Sequence, residues 1–463
     1  MNLSLLVIRR LSACTSLLTL ILSFLLGCTQ CNEQAKRPNI ILFLIDDLGY
    51  GDLGGYGNMK ISTPNIDELA AEGIKFTDFH SNGPMCTPTR AALLTGKYQN
   101  RFGEKFEGPL SGKTQYDQGL SLEAITIPEY LKEGGYATGM FGKWHLGYQE
   151  PYLPTNQGFD EFVGLAAGDG DHHSHIDRWG REDWWQNEQK KMEEGYSVEL
   201  ITNHSKSFIE RHKDEPFFLY IAHLAIHFPW QGPEDPAHRE AGSSYEDDKW
   251  GIIPDQNNVH PHVKAMVESV DNSVGEIMNV LKELNLVEKT LVVFTSDNGG
   301  YIHYNNQFHN ISSNGPLRGQ KTEMYEGGHR VPFIARWPGK IKDGSISHET
   351  AMTFDLLPTF LEVAGIQQGN TLSFDGIDLF QHLVDQTALP DRVLFWKMDD
   401  EIAVRQGPWK LVKLGDSPIE LYNLDQDLIE AFDISKENSS ITDELFQKYI
   451  DWELEMRASA SKY

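Results

Sequence analysis

The chain has 463 residues, 40% hydrophobic and 23% charged, an ordinary globular composition that excludes a disordered, collagen-like or disulfide-scaffold protein. A formal net charge of −27 excludes a general surface for nucleic acid or anionic lipid, because both partners require clustered positive charge. The length suits one large α/β domain with an appendage, and any anionic substrate must be met by a local cationic pocket.

At the N-terminus, Arg9 and Arg10 precede an apolar run from Leu17 to Leu26, followed by Gly27 and Cys28. So short a run cannot span a bilayer, and residues 1–27 are expected to be a secretory signal. Leu25-Leu26-Gly27-Cys28 resembles a bacterial lipobox. It would make Cys28 the lipidated first residue of an exported chain, periplasmic or anchored at the outer membrane; plain secretion is the alternative. Of Cys14, Cys28, Cys31 and Cys86, only Cys86 falls within the folded body, so no disulfide partner is expected there.

Pro38 to Ile45 is nearly continuously apolar, the pattern of a parallel strand covered on both faces, and it ends at Asp46-Asp47. Leu122 to Leu131 reads as a helix, and Tyr136 to Phe141 as a strand opening onto Gly142-Lys143-Trp144-His145. Phe217 to Ala222 is another apolar strand, running towards His223 and His227. Val263 to Leu284 has helical spacing, and Leu291 to Thr295 is a buried strand ending at Asp297-Asn298-Gly299-Gly300. A helix follows at Asp355 to Ala364. From about residue 390 a meander of short strands begins, closed by an amphipathic helix from Thr442 to Met456. The alternation predicts a large mixed, mostly parallel sheet flanked by helices, with a smaller antiparallel C-terminal sheet packed by a helix. The expected boundaries are 36–385 for the α/β domain and 386–463 for the C-terminal α+β subdomain. Polar clusters repeatedly follow strand ends, where open α/β sheets hold their ligands.

Asp46, Asp47, Asp297 and Asn298 offer hard oxygen donors from two strand ends, suited to Ca2+ or Mg2+; either pair alone could equally cap a loop. Pro84 to Gly96 reads as a constrained turn leading into a helix, with Pro88 near its N-terminus. Cys86 is then expected just before that terminus, where partial positive charge favours an anionic group, and Arg90 returns to the same side after one turn. A nucleophile beside a guanidinium suits attack on a tetrahedral oxyanion ester; the plainer alternative is a buried thiol and a surface arginine.

Cys86-Thr87-Pro88-Thr89-Arg90, with Leu94-Thr95-Gly96, resembles the signature of type I sulfatases of the alkaline phosphatase superfamily. Its company is ordered as in that family: Asp46-Asp47, Gly142-Lys143-Trp144-His145, His227-Phe228-Pro229, Asp297-Asn298-Gly299, Gly319-Gln320-Lys321, and Glu326 through Pro332. The resemblance covers nearly the whole chain beyond the signal and implies an alkaline phosphatase-like fold. It implies that a formylglycine-generating or radical maturation enzyme oxidises Cys86 to Cα-formylglycine. One hydroxyl of the hydrated aldehyde then attacks sulfur and displaces the alcohol, and the second allows sulfate to be eliminated. It also implies that Asp46, Asp47, Asp297 and Asn298, with the converted Cys86, hold Ca2+ rather than Mg2+. Arg90 would orient the diol, and Lys143 and Lys321 would bind sulfate oxygens. His227 would protonate the leaving alcohol and His145 would deprotonate the second hydroxyl. One departure is Ile226, which stands where relatives often carry Pro.

Asp169 to His175 contains three histidines and two acids, and reads as a substrate-facing loop, with a plain loop or a transition-metal site as alternatives. His173 and His175 are the candidate contacts. Trp184 and Trp185, with Trp179, Arg178 and Arg181 nearby, are candidates for a sugar-stacking platform or else core residues. Glu326 and Arg330 read as an internal ion pair. The resulting expectation is an exported, exo-acting sulfatase for a sulfated carbohydrate of glycosaminoglycan or algal galactan type. The alternatives are a phosphonate or phosphodiester hydrolase of the same superfamily and a non-catalytic lipoprotein that binds sulfated glycan.

Overall fold

A strand with apolar side chains on both faces must lie inside a covered sheet. In the computed structural model, which describes residues 37–367 and 373–460, β1 (Asn39–Ile45) is buried at every position. The expected secretory signal and the lipidation site at Cys28 lie outside the described residues. In chain order β1 is followed by α1 (Pro64–Ala71), β2 (Ile74–His80), α2 (Cys86–Thr95), α3 (Ile127–Glu133), β3 (Ala137–Lys143) and β4 (Glu161–Leu165). Then come α4 (Ser197–His212), β5 (Phe217–His223), α5 (His260–Glu283), β6 (Thr290–Ser296), β7 (Arg330–Arg336) and α6 (Leu356–Val363). The C-terminal part adds β8 (Val393–Met398), β9 (Glu401–Gln406), β10 (Trp409–Lys413), β11 (Glu420–Asn423) and α7 (Ser439–Ala460).

The main sheet runs Ser345–Ser347, β2, β7, β6, β1, β5, β3, β4, with short strands beyond β4 at Trp185–Gln186 and Gln189–Lys190. β6, β1, β5, β3 and β4 are mutually parallel, and β7 is antiparallel to both β6 and β2. The mixed, mostly parallel sheet expected from the sequence is therefore present. Its consequence is positional: the C-terminal ends of β2, β6, β1, β5 and β3 and the start of β7 share one edge.

Alternation of β1 divides the core. Ile40, Leu42 and Leu44 join the side that holds α2, α3 and α6, whereas Ile41, Phe43 and Ile45 join the side that holds α1, α4 and α5. Burying each such side chain contributes about 1.5–3 kcal/mol before the cost of ordering the chain. On α5 the buried residues Val263, Met266, Val267, Val270, Val274 and Ile277 follow the 3–4 spacing of a single face.

The C-terminal strands β8 to β11 form an antiparallel meander, covered by α7 through Leu445, Tyr449, Trp452 and Met456. One expected element is displaced. The helix anticipated over Leu122 to Leu131 begins at Ile127, because Thr126 and Glu129 form a capping box there; Leu122 and Ile125 are exposed.

Candidate active site

The register pairs Ile45 of β1 with Ser296 of β6, so Asp46-Asp47 and Asp297-Asn298 leave the sheet side by side. On the other flank, Gly142 of β3 pairs with Ala222 of β5, which brings Lys143 and His145 to the same edge. Gly142 has φ +120° and a Cβ there would lie 1.9 Å from the Ala222 carbonyl oxygen, so only glycine allows this approach. His145 itself has φ +58°, and Gly168 leaves room for its ring.

Cys86 is the first residue of α2 and is 2% exposed, one position later than expected but still at the helix N-terminus. Burial, followed by the nearby Asp46 carboxylate, pushes its thiol up to about 12. Cysteine attacks as the thiolate, so this side chain is chemically idle near neutral pH unless it is modified. Lys321, from the loop before β7, reaches to 3.4 Å from Sγ and 2.5 Å from Asp47 Oδ1.

Two further buried cations complete the set. Lys143 Nζ lies 2.5 Å from Asp46 Oδ2, and Arg90 donates through Nε and Nη2 to Asp297 Oδ2 at 3.0 and 2.8 Å. Burial alone would raise the Asp297 carboxyl, but Arg90, Lys143 and Lys321 hold it below the usual range. Asp46 shows the reverse: burial and the Asp297 charge push it up to about 8 despite Lys143. It is a carboxylate short of positive charge. Asp46 Oδ1 and Asn298 Oδ1 are both buried without a hydrogen-bond partner among the described residues. Asp46, Asp47, Cys86 and His227 each offer a ligand atom within 4.8 Å of the others. Carboxylate and amide oxygens with unfilled lone pairs fit a hard divalent cation of the Ca2+ or Mg2+ kind.

Two histidines flank this cradle with defined tautomers. His227 Nδ1 lies 2.7 Å from the Phe228 carbonyl oxygen, which can only accept, so Nδ1 carries the proton and Nε2 faces the site, 4.0 Å from Asp47 Oδ2. His145 Nε2 lies 3.2 Å from the Leu110 carbonyl oxygen, leaving Nδ1 buried and without a hydrogen-bond partner among the described residues. Burial, with Lys143 the next cause for both, holds the two rings well below the usual histidine range.

The other expected residues lie further out. His173 bonds the Gly232 carbonyl, and His175 stacks on Trp184 at 4.2 Å. Trp184 is fully buried and Trp185 is 7% exposed with its indole N–H on Asp183. Neither presents a free face, which agrees with the core-packing alternative of the sequence reading rather than with a stacking platform. His223 bonds Ser273 on α5 and does not enter the site. His172, in the Asp169–His175 loop, lies 2.9 Å from Ser197 Oγ and 3.1 Å from the His227 carbonyl oxygen, bracing the loop that carries His227. Tyr301, unmarked by any motif, covers Lys321 at 5.3 Å.

A second converging group, His80, Glu326 and His329, is served by an ammonium. Lys410 Nζ on β10 lies 2.9 Å from Glu326, 2.8 Å from Glu430 and 3.2 Å from His329 Nε2. The expected Glu326–Arg330 ion pair is present at 3.0 Å.

Comparison with known proteins agrees with this arrangement. The Sulfatase family model matches residues 38–366, and a second model, N-sulphoglucosamine sulphohydrolase, C-terminal, matches residues 319–453. The chain is 34% identical over 393 residues to N-acetylgalactosamine-6-sulfatase of Canis lupus familiaris, covering 81% of this chain and 71% of the relative. It is 34% identical over 423 residues to arylsulfatase A of Homo sapiens, covering 84% and 77%. Among solved structures, Ps i-CgsB in complex with k-i-k-neocarrahexaose superposes with a TM-score of 0.78 at 29% identity, covering 90% of this chain and 93% of that one.

Proposed function

The chain belongs to the sulfatase family and is a sulfuric ester hydrolase, and we propose that it removes sulfate from the end of a sulfated carbohydrate of glycosaminoglycan or algal galactan type, using formylglycine at position 86 and bound Ca2+. The observation that carries this reading is the buried Cys86 thiol, pushed up to about 12 yet ringed by Lys321, Asp46, Asp47 and His227. A catalytic set has been assembled around a side chain that cannot act as encoded. The relatives themselves, an N-acetylgalactosamine-6-sulfatase and a structure in complex with a neocarrahexaose, support the carbohydrate class. Exo-action is supported by the net charge of −27, which repels long polyanions.

When present, the cation held by Asp46, Asp47, Asp297 and Asn298 supplies Lewis-acid polarisation of sulfate, and the hydrated aldehyde at position 86 supplies the hydroxyl nucleophile. Lys143 and Lys321 offer ammonium groups to the sulfate oxygens, fixed in advance by Asp46 and Asp47, so little reorganisation is needed as charge develops. Arg90, locked on Asp297, holds that carboxylate in place for the cation and contributes positive charge beside position 86. His227 presents Nε2 to the leaving oxygen. Its ring is neutral in the free site, and the negative charge of a bound sulfate offsets Lys143 and Lys321 and favours the protonated acid. His145 keeps Nδ1 available to accept a proton after the alcohol has left.

An exported location, with a lipid anchor at Cys28, follows from the N-terminal sequence. The test is sulfate release from sulfated mono- and disaccharides by the matured protein, compared with phosphate release from matched phosphate esters. Preference for sulfate and loss of turnover after Ca2+ chelation are expected. Preference for phosphate would overturn the reading.

A further inference from the structure

Beyond the acid His227 the site wall becomes cationic and aromatic. The Phe228 ring lies 4.1 Å from the His227 ring, and two cations lie over that same Phe228 ring: the Arg178 guanidinium at 5.3 Å and the Lys249 ammonium at 5.8 Å from its centroid. Lys249 also stands 4.5 Å from the Trp250 ring and 5.6 Å from the Tyr304 ring, and Arg178 stands 5.4 Å from the Trp179 ring. Tyr304 packs on Tyr301, which covers the sulfate-site lysine Lys321. Two separate paths of contacting rings therefore connect the catalytic groups to Lys249.

The charge balance at this wall is unusual for so acidic a chain. Arg178 pairs with Asp169 at 3.0 Å, but Asp169 is shared with the fully buried Arg239 at 3.2 Å, so two guanidiniums meet one carboxylate. The ammonium of Lys249 makes no ion pair among the described residues; the Asp169 carboxylate, already shared by Arg178 and Arg239, acts on it only at longer range. Burial, and then Arg178, shift Lys249 below the usual lysine range, which is the direction expected for a half-buried ammonium facing a like charge. An unpaired cation pressed between rings beside a second cation is unfavourable until an anion arrives.

We propose that Arg178 and Lys249 form a subsite for a second anionic group, a sulfate or a carboxylate, carried by the same sugar or its neighbour. The inference rests on the sulfated-carbohydrate reading and narrows it to a substrate with more than one negative charge. The leaving oxygen must approach His227 Nε2, so the sugar that bears it extends along Phe228, and substituents one ring away meet Lys249 and Arg178. The ring faces of Trp250 and Tyr304 shield the contact from water, which strengthens it.

The matured full-length protein is assayed for sulfate release from three probes: a monosulfated hexosamine, the same sugar bearing a second sulfate, and the monosulfated sugar linked to a uronate. The wild type is expected to favour at least one doubly anionic probe about tenfold or more in kcat/KM, and the preferred probe identifies the second group. Lys249→Gln and Arg178→Gln are expected to collapse that ratio towards one through KM, and Lys249→Arg to retain it. An equal loss on all three probes, or no preference in the wild type, would overturn the subsite. If the wild type releases sulfate from none of them, the glycosaminoglycan branch of the functional reading fails instead. The subsite is then judged by calorimetric titration with the disulfated sugar, where tenfold weaker binding by Lys249→Gln supports it and unchanged binding overturns it.

Discussion

A thiol pushed up to about 12 in the middle of three buried cations and three carboxylates defines the residue-scale problem. Lys321 touches both Asp47 and Cys86, so Lys321→Met removes a sulfate contact and leaves a buried carboxylate unpaired. The expected loss is about 10²- to 10³-fold in kcat/KM, read by steady-state sulfate release. His227→Ala separates leaving groups. A sugar alkoxide needs a proton, and about 10²-fold or more is expected to be lost on sugar sulfates. Nitrophenol leaves as a stable anion, so nitrophenyl sulfate turnover should fall far less; equal losses on both would remove His227 from the acid role. The sequence made much of this legible, because motif residues such as Asp46, Lys143 and His227 sit at strand ends whose apolar runs are themselves visible. It marked the loop that holds His172 without assigning that residue a role, and it gave no sign of Tyr301 or Lys249, which belong to no motif and gain meaning only through contacts across the fold.

Between elements, a buried ionic network ties β2 and β7 to the C-terminal meander. Arg405 on β9 meets Asp78 at 2.7 Å, His80 lies 3.0 Å from His329, and Lys410 on β10 bridges Glu326 and Glu430. Lys410→Met takes the cation from buried Glu430 and leaves Glu326 with Arg330 and Arg405, and is expected to destabilise the protein by about 3–5 kcal/mol, measured by chemical denaturation. The network also predicts acid lability. Burial opposes ionisation of Asp78 and Glu326, but Arg405 for the first and Lys410 for the second hold their carboxyls below the usual range, so their contribution is lost as pH falls below about 4. Burial holds His80 and His329 below the usual histidine value, so below about pH 6.5 the unfolded chain gains protons the fold refuses. Glu430, raised by burial to about 7, acts in the opposite sense, as do Asp46 at about 8 and Asp52 and Asp183 at about 7, while burial holds His145, His172, His175, His223 and His227 low as it does His80 and His329. The Tm should therefore drop as pH falls from 6.5 to 4, and a flat profile would contradict this balance. None of the network was legible beyond the Glu326–Arg330 pair, whose i,i+4 spacing is local. The misplaced start of α3 has a similar cause: Leu122 and Ile125 mimic a helical stripe, while the decisive signal is the Thr126–Glu129 cap.

At the scale of the whole molecule, a net charge of −27 surrounds a small cationic site. Long-range repulsion of polyanions is screened over about 10 Å at 0.1 M salt, so kcat/KM on a sulfated oligosaccharide should rise as salt increases from low to physiological levels. A monosulfated sugar should respond much less. The centre of the main sheet was legible because β1, β5 and β6 are continuous apolar runs; β2 and β4 were not read, and β7, the antiparallel strand whose preceding loop carries Lys321 to the edge, was hidden inside a motif rather than read as a strand. The measurement that bears most directly on the account is peptide mass spectrometry across Cys86 in protein expressed in its own host, paired with a sulfate-release assay. The account predicts an aldehyde in place of the thiol, with sulfate release lost in Cys86→Ala. An unmodified Cys86 in folded, active protein would contradict it.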